Sequence, residues 1–247
     1  MNALTLPTRR DEAFRYSDID ALVRAPTRDA VETVVVSAGE HFARQIVNVA
    51  ATDDVVVQNL TLTLKAGATA AVHILNAGGR LGRISLDVTL HDGADFSLGA
   101  VQLGNGAQTV ELVTIVRHIE PNATSSQVVR SILAGNATGS YLGKVAVARG
   151  AQKTDSVQSV KAMLLDRTAT ANAKPELEIY ADDVKCAHGA TVGELDKQAM
   201  FYLAARGLPP AKAKKLLLQA FIASVFEGAE GEEELTNAAL GKLEAMV

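Results

Sequence analysis

Between residues 31 and 190, apolar and polar positions alternate in short runs separated by small turn-forming residues. Val34–Val36, Val55–Val57, Leu60–Leu64, Ala71–Leu75, Ile84–Leu90, Val110–Val116 and Val128–Leu133 are rich in Val, Ile, Leu and Thr. Each predicts a β-strand, because branched side chains suit a pleated, half-buried surface. The breakers between them are Gly67, Gly79, Gly93, Gly106, Asn122, Asn136 and Gly150, at steps of 12, 14, 13, 16, 14 and 14 residues. Most of these breakers are followed by alanine, as in Gly67-Ala68, Gly93-Ala94, Asn122-Ala123 and Gly150-Ala151. Gly and Asn tolerate the left-handed backbone of a tight corner, and a small Ala beside them can stack from one corner to the next. A step of about 14 that doubles to about 28 is the pattern of a β-solenoid with two strands per coil. An ordinary β-sandwich, with turns every 8–12 residues, is the competing reading.

The chain ends on a different period. Thr191-x-x-Glu194 fits a capping box, and Leu195, Ala199, Tyr202 and Leu203 follow at helical spacing before Arg206-Gly207. Pro209-Pro210 opens a second helix with Leu216, Leu217, Ala220, Phe221 and Val225 on one side. After five acids between Glu227 and Glu234, Leu235, Ala239, Leu243 and Met246 mark a third. At the other end Phe14, Ile19, Leu22 and Val23 predict a short turn or helix that Pro26 closes. The division expected is a short N-terminal segment over 1–26, a solenoid core over 27–190 and a helical subdomain over 191–247.

Composition narrows what such a chain does. It has 247 residues, 48% of them hydrophobic but only 4% aromatic, so the core must be built from Val, Leu, Ile and Ala. A net charge of −4 argues against a basic nucleic-acid footprint. A single cysteine permits no intramolecular disulfide and suits a reducing compartment. The N-terminus lacks a signal peptide's apolar core, so the cytosol is the expected location.

The nucleotide motifs fail. Gly139-Ser-Tyr-Leu-Gly143-Lys144-Val145 is one residue short of a phosphate loop, and Val145 stands where a hydroxyl must hold magnesium. Asp53-Asp54 and Asp182-Asp183 are sequence neighbours, which on strands point to opposite faces. His41, His73, His91 and His118 lack ligand spacing. The remaining candidate is Val184-Lys-Cys-Ala-His-Gly-Ala-Thr-Val-Gly193. On a strand Cys186 and His188 emerge on one face with Cα atoms about 7 Å apart. A thiolate beside an imidazole suits zinc, iron or an iron–sulfur cluster, but two donors do not complete about four. The alternative is a small buried cysteine beside a hydrogen-bonded histidine. Lys185 and the helix start expected just beyond both favour thiolate.

The stretch from Gly143 to Gly207 resembles the SufB/SufD family of iron–sulfur cluster assembly scaffolds, and within it the SufD branch. The matching text includes Ala151-Gln-Lys-Thr-Asp155-Ser-Val-Gln158, Lys174-Pro-Glu-Leu-Glu-Ile-Tyr-Ala-Asp-Asp183, the Cys186–His188 stretch and Ala199-Met-Phe-Tyr-Leu-Ala-Ala-Arg-Gly207. Glu12-Ala-Phe-Arg-Tyr-Ser17 resembles the segment that begins this family's core. The resemblance implies a right-handed parallel β-helix with a C-terminal α-helical subdomain, and a non-enzymatic scaffold. It implies pairing with SufB through the β-helix end, where a nascent iron–sulfur cluster forms that this chain does not hold alone. His188 is then the first expected ligand and Cys186 the second. It also implies docking of the SufC ATPase on the C-terminal helices, which gives the face around Leu217 and Phe221 a role. Whether the isolated chain forms a homodimer is left open by the sequence. The resemblance departs in two ways: the chain lacks the N-terminal helical region of many SufD proteins, and it lacks SufB's further cysteines and its glutamate-histidine block.

Two other readings compete. A β-helix enzyme acting on polysaccharide would want aromatic platforms and well-placed acids. A helix-turn-helix over Leu195–Val225, helped by Lys212, Lys214 and Lys215, would bind DNA, against which the acidic tail argues.

Overall fold

The computed structural model describes residues 7–25 and 28–246. Pro26, expected to close the first segment, lies outside the described residues. A 3-10 turn at Glu12–Phe14 and helix α1 (Ile19–Arg24) precede twelve strands. These are β1 (Glu32–Val36), β2 (His41–Ala50), β3 (Val55–Leu64), β4 (Thr69–Gly78), β5 (Leu81–Leu90) and β6 (Asp95–Gly104), then β7 (Thr109–His118), β8 (Thr124–Leu133), β9 (Thr138–Val147), β10 (Asp155–Leu164), β11 (Thr170–Ile179) and β12 (Lys185–Glu194). Helices α2 (Lys197–Ala205), α3 (Pro210–Ile222) and α4 (Glu232–Glu244) follow.

Odd strands form one six-stranded sheet and even strands another, each in sequential order and wholly parallel. The chain is therefore a β-solenoid of about six coils with two strands per coil, and the sandwich reading falls: hairpins would give antiparallel neighbours. The coil is not constant in length. Val55 lies beside Leu81, a step of 26 residues, whereas Thr138 lies beside Thr170, a step of 32.

The period-2 pattern is what the coil buries. Val34, Leu62, Val88, Val116, Val145 and Leu177 stack in one interior column, one residue per coil. The four central members are fully buried, worth about 1.5–3 kcal/mol each. At one row of corners Ala68, Ala94, Ala123 and Ala151 are also fully buried, because a larger side chain would part the coils. Gly93 and Asn122 take the left-handed conformation before two of them, each at φ 62°. Elsewhere the expected corner residue is displaced: Gly135 and Lys153, not Asn136 and Gly150, have positive φ.

Outside the barrel each sheet is covered on one patch. Ala21, Leu22 and Ala25 pack on Val57 and Leu81 of the odd sheet. Leu218, Ile222, Val225, Phe226, Leu235, Ala239 and Leu243 pack on Leu75, Val101, Leu103 and Ile132 of the even sheet. Helix α2, which buries no residue, packs against α3, while α3 and α4 lie on the solenoid wall. Gly99 permits the contact, since a Cβ there would sit 2.3 Å from the carbonyl oxygen of Val225.

Two expectations at this junction are corrected. The capping box at Thr191 and Glu194 does not form: both residues belong to β12, paired with Lys161 and Leu164. Strand pairing outlasts the local signal, and Asp196 caps α2 by accepting from the backbone N–H groups of Gln198 (2.8 Å) and Ala199 (3.2 Å). On α3 the buried face is Ala213, Leu218 and Ile222, while Leu216 and Ala220 face solvent. The apolar run is wide enough to offer two faces, and the wall contact selects one.

Candidate functional site

The interior of the solenoid changes character along its axis. One column of the even sheet runs Phe42, Ala70, Phe96, Ser125, Ser156, Cys186; its neighbour runs Arg44, Val72, Leu98, Gln127, Gln158, His188. Apolar side chains fill both columns in the middle coils, and polar ones replace them toward the C-terminal end. These polar groups are hydrogen-bonded to one another. His118 Nε2 lies 2.9 Å from Ser125 Oγ, which lies 2.8 Å from Ser156 Oγ. Gln127 Oε1 accepts from Thr114 Oγ1 (2.9 Å) and Tyr141 OH (3.1 Å), and Gln158 Nε2 donates to Tyr141 OH (3.1 Å). Burial pushes the Tyr141 hydroxyl up to about 12 and the His118 imidazole down to about 4, so both are neutral near pH 7.

Cys186 and His188 top these two columns. Both point inward, as their spacing predicts, but they belong to the last coil, where among the described residues no further strand stacks on β12. Cys186 is half-buried against the core and His188 is exposed at the rim. The expected activation of the thiol is not realised. Partial burial, then the Asp155 carboxylate, pushes Cys186 upward, partly opposed by the Ser156 backbone N–H. The strand also runs on to Glu194, so no helix N-terminus lies beside the sulfur.

The rim itself is bare. Strands β11 and β12 have free edges, and Ile179 (38% exposed), Val192 (48%) and Tyr180 (60%) surround them. Among the described residues no group of three or more His, Cys, Asp or Glu could hold a metal ion. Among the described residues the rim offers the Cys186 thiol and the His188 imidazole, with the Asp155 carboxylate near the thiol.

Leu217 and Phe221 lie elsewhere, on α3. Both are half-buried, and Phe221 packs against the cluster that seats the helices. The large exposed apolar residues of this region, among those described, are Phe201 and Tyr202 on α2 and Leu216 on α3. Leu216, Ala220, Phe226 and Leu240 line a groove between α3 and α4.

The profile described as "SUF system FeS cluster assembly, SufBD core domain" matches residues 15–221. The chain belongs to the SufBD core family. Among curated SufBD relatives, the iron–sulfur cluster assembly protein SufD of Escherichia coli is 31% identical over 172 residues, covering 69% of this chain and 41% of the relative. A SufBD family protein of Synechocystis is 33% identical over 154 residues, covering 62% of this chain and 34% of the relative. SufD of Bacillus subtilis is 29% identical over 134 residues, covering 54% and 31%. The match therefore spans less than half the length of each of these relatives. Solenoid, C-terminal helices and family agree, and iron–sulfur cluster assembly is the family's process.

Sequence reasoning did not single out Ser156 and Gln158, which lie directly behind the two donors. A signal was present: Ser125-x-Gln127, Ser156-x-Gln158 and Cys186-x-His188 repeat one spacing at intervals of 31 and 30 residues. The donors are the last members of a polar series that begins inside the coil.

Proposed function

We propose that this chain is a SufD-like, non-catalytic scaffold subunit whose C-terminal rim completes a cluster-assembly site with a SufB-like chain. The observation that carries this reading is the position of His188: a core-facing place on a coil that nothing covers. A core position normally buries its side chain, so an imidazole and a thiol at the open end are presented to whatever stacks there. A second chain adding strands to the free edge of β12 would meet both donors and supply the missing ligands. The nascent iron–sulfur cluster is cargo of this junction, with His188 the first ligand and Cys186 the second. Because burial and Asp155 disfavour the thiolate, Cys186 binds only with a metal that displaces its proton.

The C-terminal helices are the proposed seat of a SufC-like ATPase, through Leu217, Phe221 and the more exposed Leu216 beside them. The chain works in the cytosol in this reading, and in isolation it pairs with a second copy through the same rim.

Two measurements check it. His188→Ala, co-expressed with SufB-like and SufC-like chains, is expected to retain the wild-type circular dichroism spectrum while cluster-bound iron and sulfide fall at least about tenfold. Normal cluster content in that complex would remove the assignment. Leu216→Asp is expected to weaken SufC capture about tenfold or more, with its fold intact because the side chain is already 46% exposed. Phe221→Asp should also abolish capture, but it places a carboxylate among packed apolar groups, a change that is destabilising in itself. Undiminished capture by Leu216→Asp would move the docking surface off this face of α3.

A further inference from the structure

The two ends of the solenoid differ in a way that bears on which of them can receive another chain. Every coil stacks on the next in parallel, odd strand on odd and even on even. The C-terminal rim of one copy is therefore shaped to continue into the N-terminal mouth of another, with β11 onto β1 and β12 onto β2. Head-to-tail contacts of this kind do not close on themselves; they grow into filaments.

At the N-terminal mouth the core-facing positions carry charge. Glu32 lies in the interior column of Leu60, Leu86 and Thr114, and Arg44 lies in that of Val72, Leu98 and Gln127. Both therefore occupy places that the next coils fill with apolar or neutral groups. Arg44 Nη2 reaches Glu32 Oε2 at 2.7 Å, an ion pair across the mouth whose side chains remain 44% and 49% exposed. Strand β1 is also short, five residues against ten in every other strand. Inward-pointing charges and short edge strands are two of the ways by which sheet proteins refuse edge pairing. At the other end, the same two columns finish with Pro175 and His188, where no ion pair spans them.

We propose that the Glu32–Arg44 pair is a stopper that closes the N-terminal mouth to the C-terminal rim of a second copy, so that end-on association is confined to the C-terminal rim. A coil seated on the mouth would strip water from both ions in return for no new partner, and that desolvation opposes stacking. At the C-terminal rim the one charge in an interior column is Glu194, at the end of β12 in the column of Leu133 and Leu164, and no ion pair crosses the opening among the described residues. Rim-to-rim pairing ends at a dimer, whereas rim-to-mouth pairing would consume both ends and run on.

Size-exclusion chromatography with light scattering over a concentration series tests the stopper. Wild type is expected to stay at or below twice the monomer mass. Glu32→Val with Arg44→Val should give species of at least ~4 times the monomer mass that grow with concentration. Adding Ala190→Lys, which places a charge on the interior face of the C-terminal rim, should return the double variant to small species. A folded double variant that elutes like wild type overturns the proposal. So do assemblies that survive Ala190→Lys, because the C-terminal rim would then not be their occupant. If the valine pair does not reproduce the wild-type circular dichroism spectrum, Glu32→Thr with Arg44→Thr replaces it with the same expected results. The outcome is independent of cluster assembly, so it stands apart from the function proposed above.

Discussion

Replacing Glu111 by alanine is expected to cost about 3–5 kcal/mol of folding stability, because it strands a buried guanidinium. Glu111 Oε2 accepts from Arg83 Nη1 at 2.6 Å and from Ser17 Oγ at 2.6 Å, and the side chains of Arg83 and Glu111 are only 4% and 1% exposed. Arg83 also donates to the Ala13 carbonyl at 2.8 Å and lies 4.6 Å from the centre of the Phe14 ring. The pair therefore fastens the segment between Glu12 and Arg24 onto the outer face of the odd sheet. Urea unfolding should report the loss, and limited proteolysis should cut first within that segment. Replacing Arg83 by methionine in the same chain should recover most of the loss, since an apolar pair carries no uncompensated charge. A single Glu111→Ala variant within about 0.5 kcal/mol of wild type, the range of ordinary surface changes, would show that the pair does not hold the segment.

Acid should destabilise the chain through His118 before most carboxylates titrate. Burial is the main reason that this ring, 0% exposed and hydrogen-bonded to Ser125, takes up its proton only at about 4 in the folded state. The unfolded chain takes up the same proton near 6.5. Between those values the unfolded state binds more protons, so stability falls as pH is lowered through the window and this contribution levels off below about 4. The whole effect is about 3 kcal/mol. Leucine at position 118 would continue the column of Leu64, Leu90 and Val147, so His118→Leu is the suitable reference. Unfolding free energies at pH 7, 5.5 and 4 should show wild type losing about 3 kcal/mol more than His118→Leu across the window. Parallel curves for the two proteins would mean that the ring is hydrated and charges freely.

How far the site was legible depends on which residue is asked about. The face shared by Cys186 and His188 follows from the two-residue period of a strand, and the structure keeps it. The activation of Cys186 was read from adjacent Lys185 and from a helix expected to begin at Thr191, and pairing of β12 with β10 through Glu194 removed that helix start. A capping signal is local and worth little against a ten-residue ladder of backbone hydrogen bonds. The α3 face shows the same limit. Leu216, Leu217, Ala220 and Phe221 form a plausible stripe on paper, yet Leu218 and Ile222 are the residues buried in the cluster on the solenoid wall.

What the chain's own text determined was the repeat: turn residues every 14 or so positions, apolar residues every second one between them, and a helical period at the end. Those are short-range properties, set by backbone sterics and by the two faces of a strand, and they survive any arrangement of the coils. That the helices leave the last coil open, and so which inward side chains are uncovered, was decided only by the tertiary structure. Glu32, Arg44, Cys186 and His188 all sit at core positions by pattern. They differ from Leu62 or Val88 solely because the coils end beside them, and the number of coils above and below a residue is a long-range fact that no local pattern records.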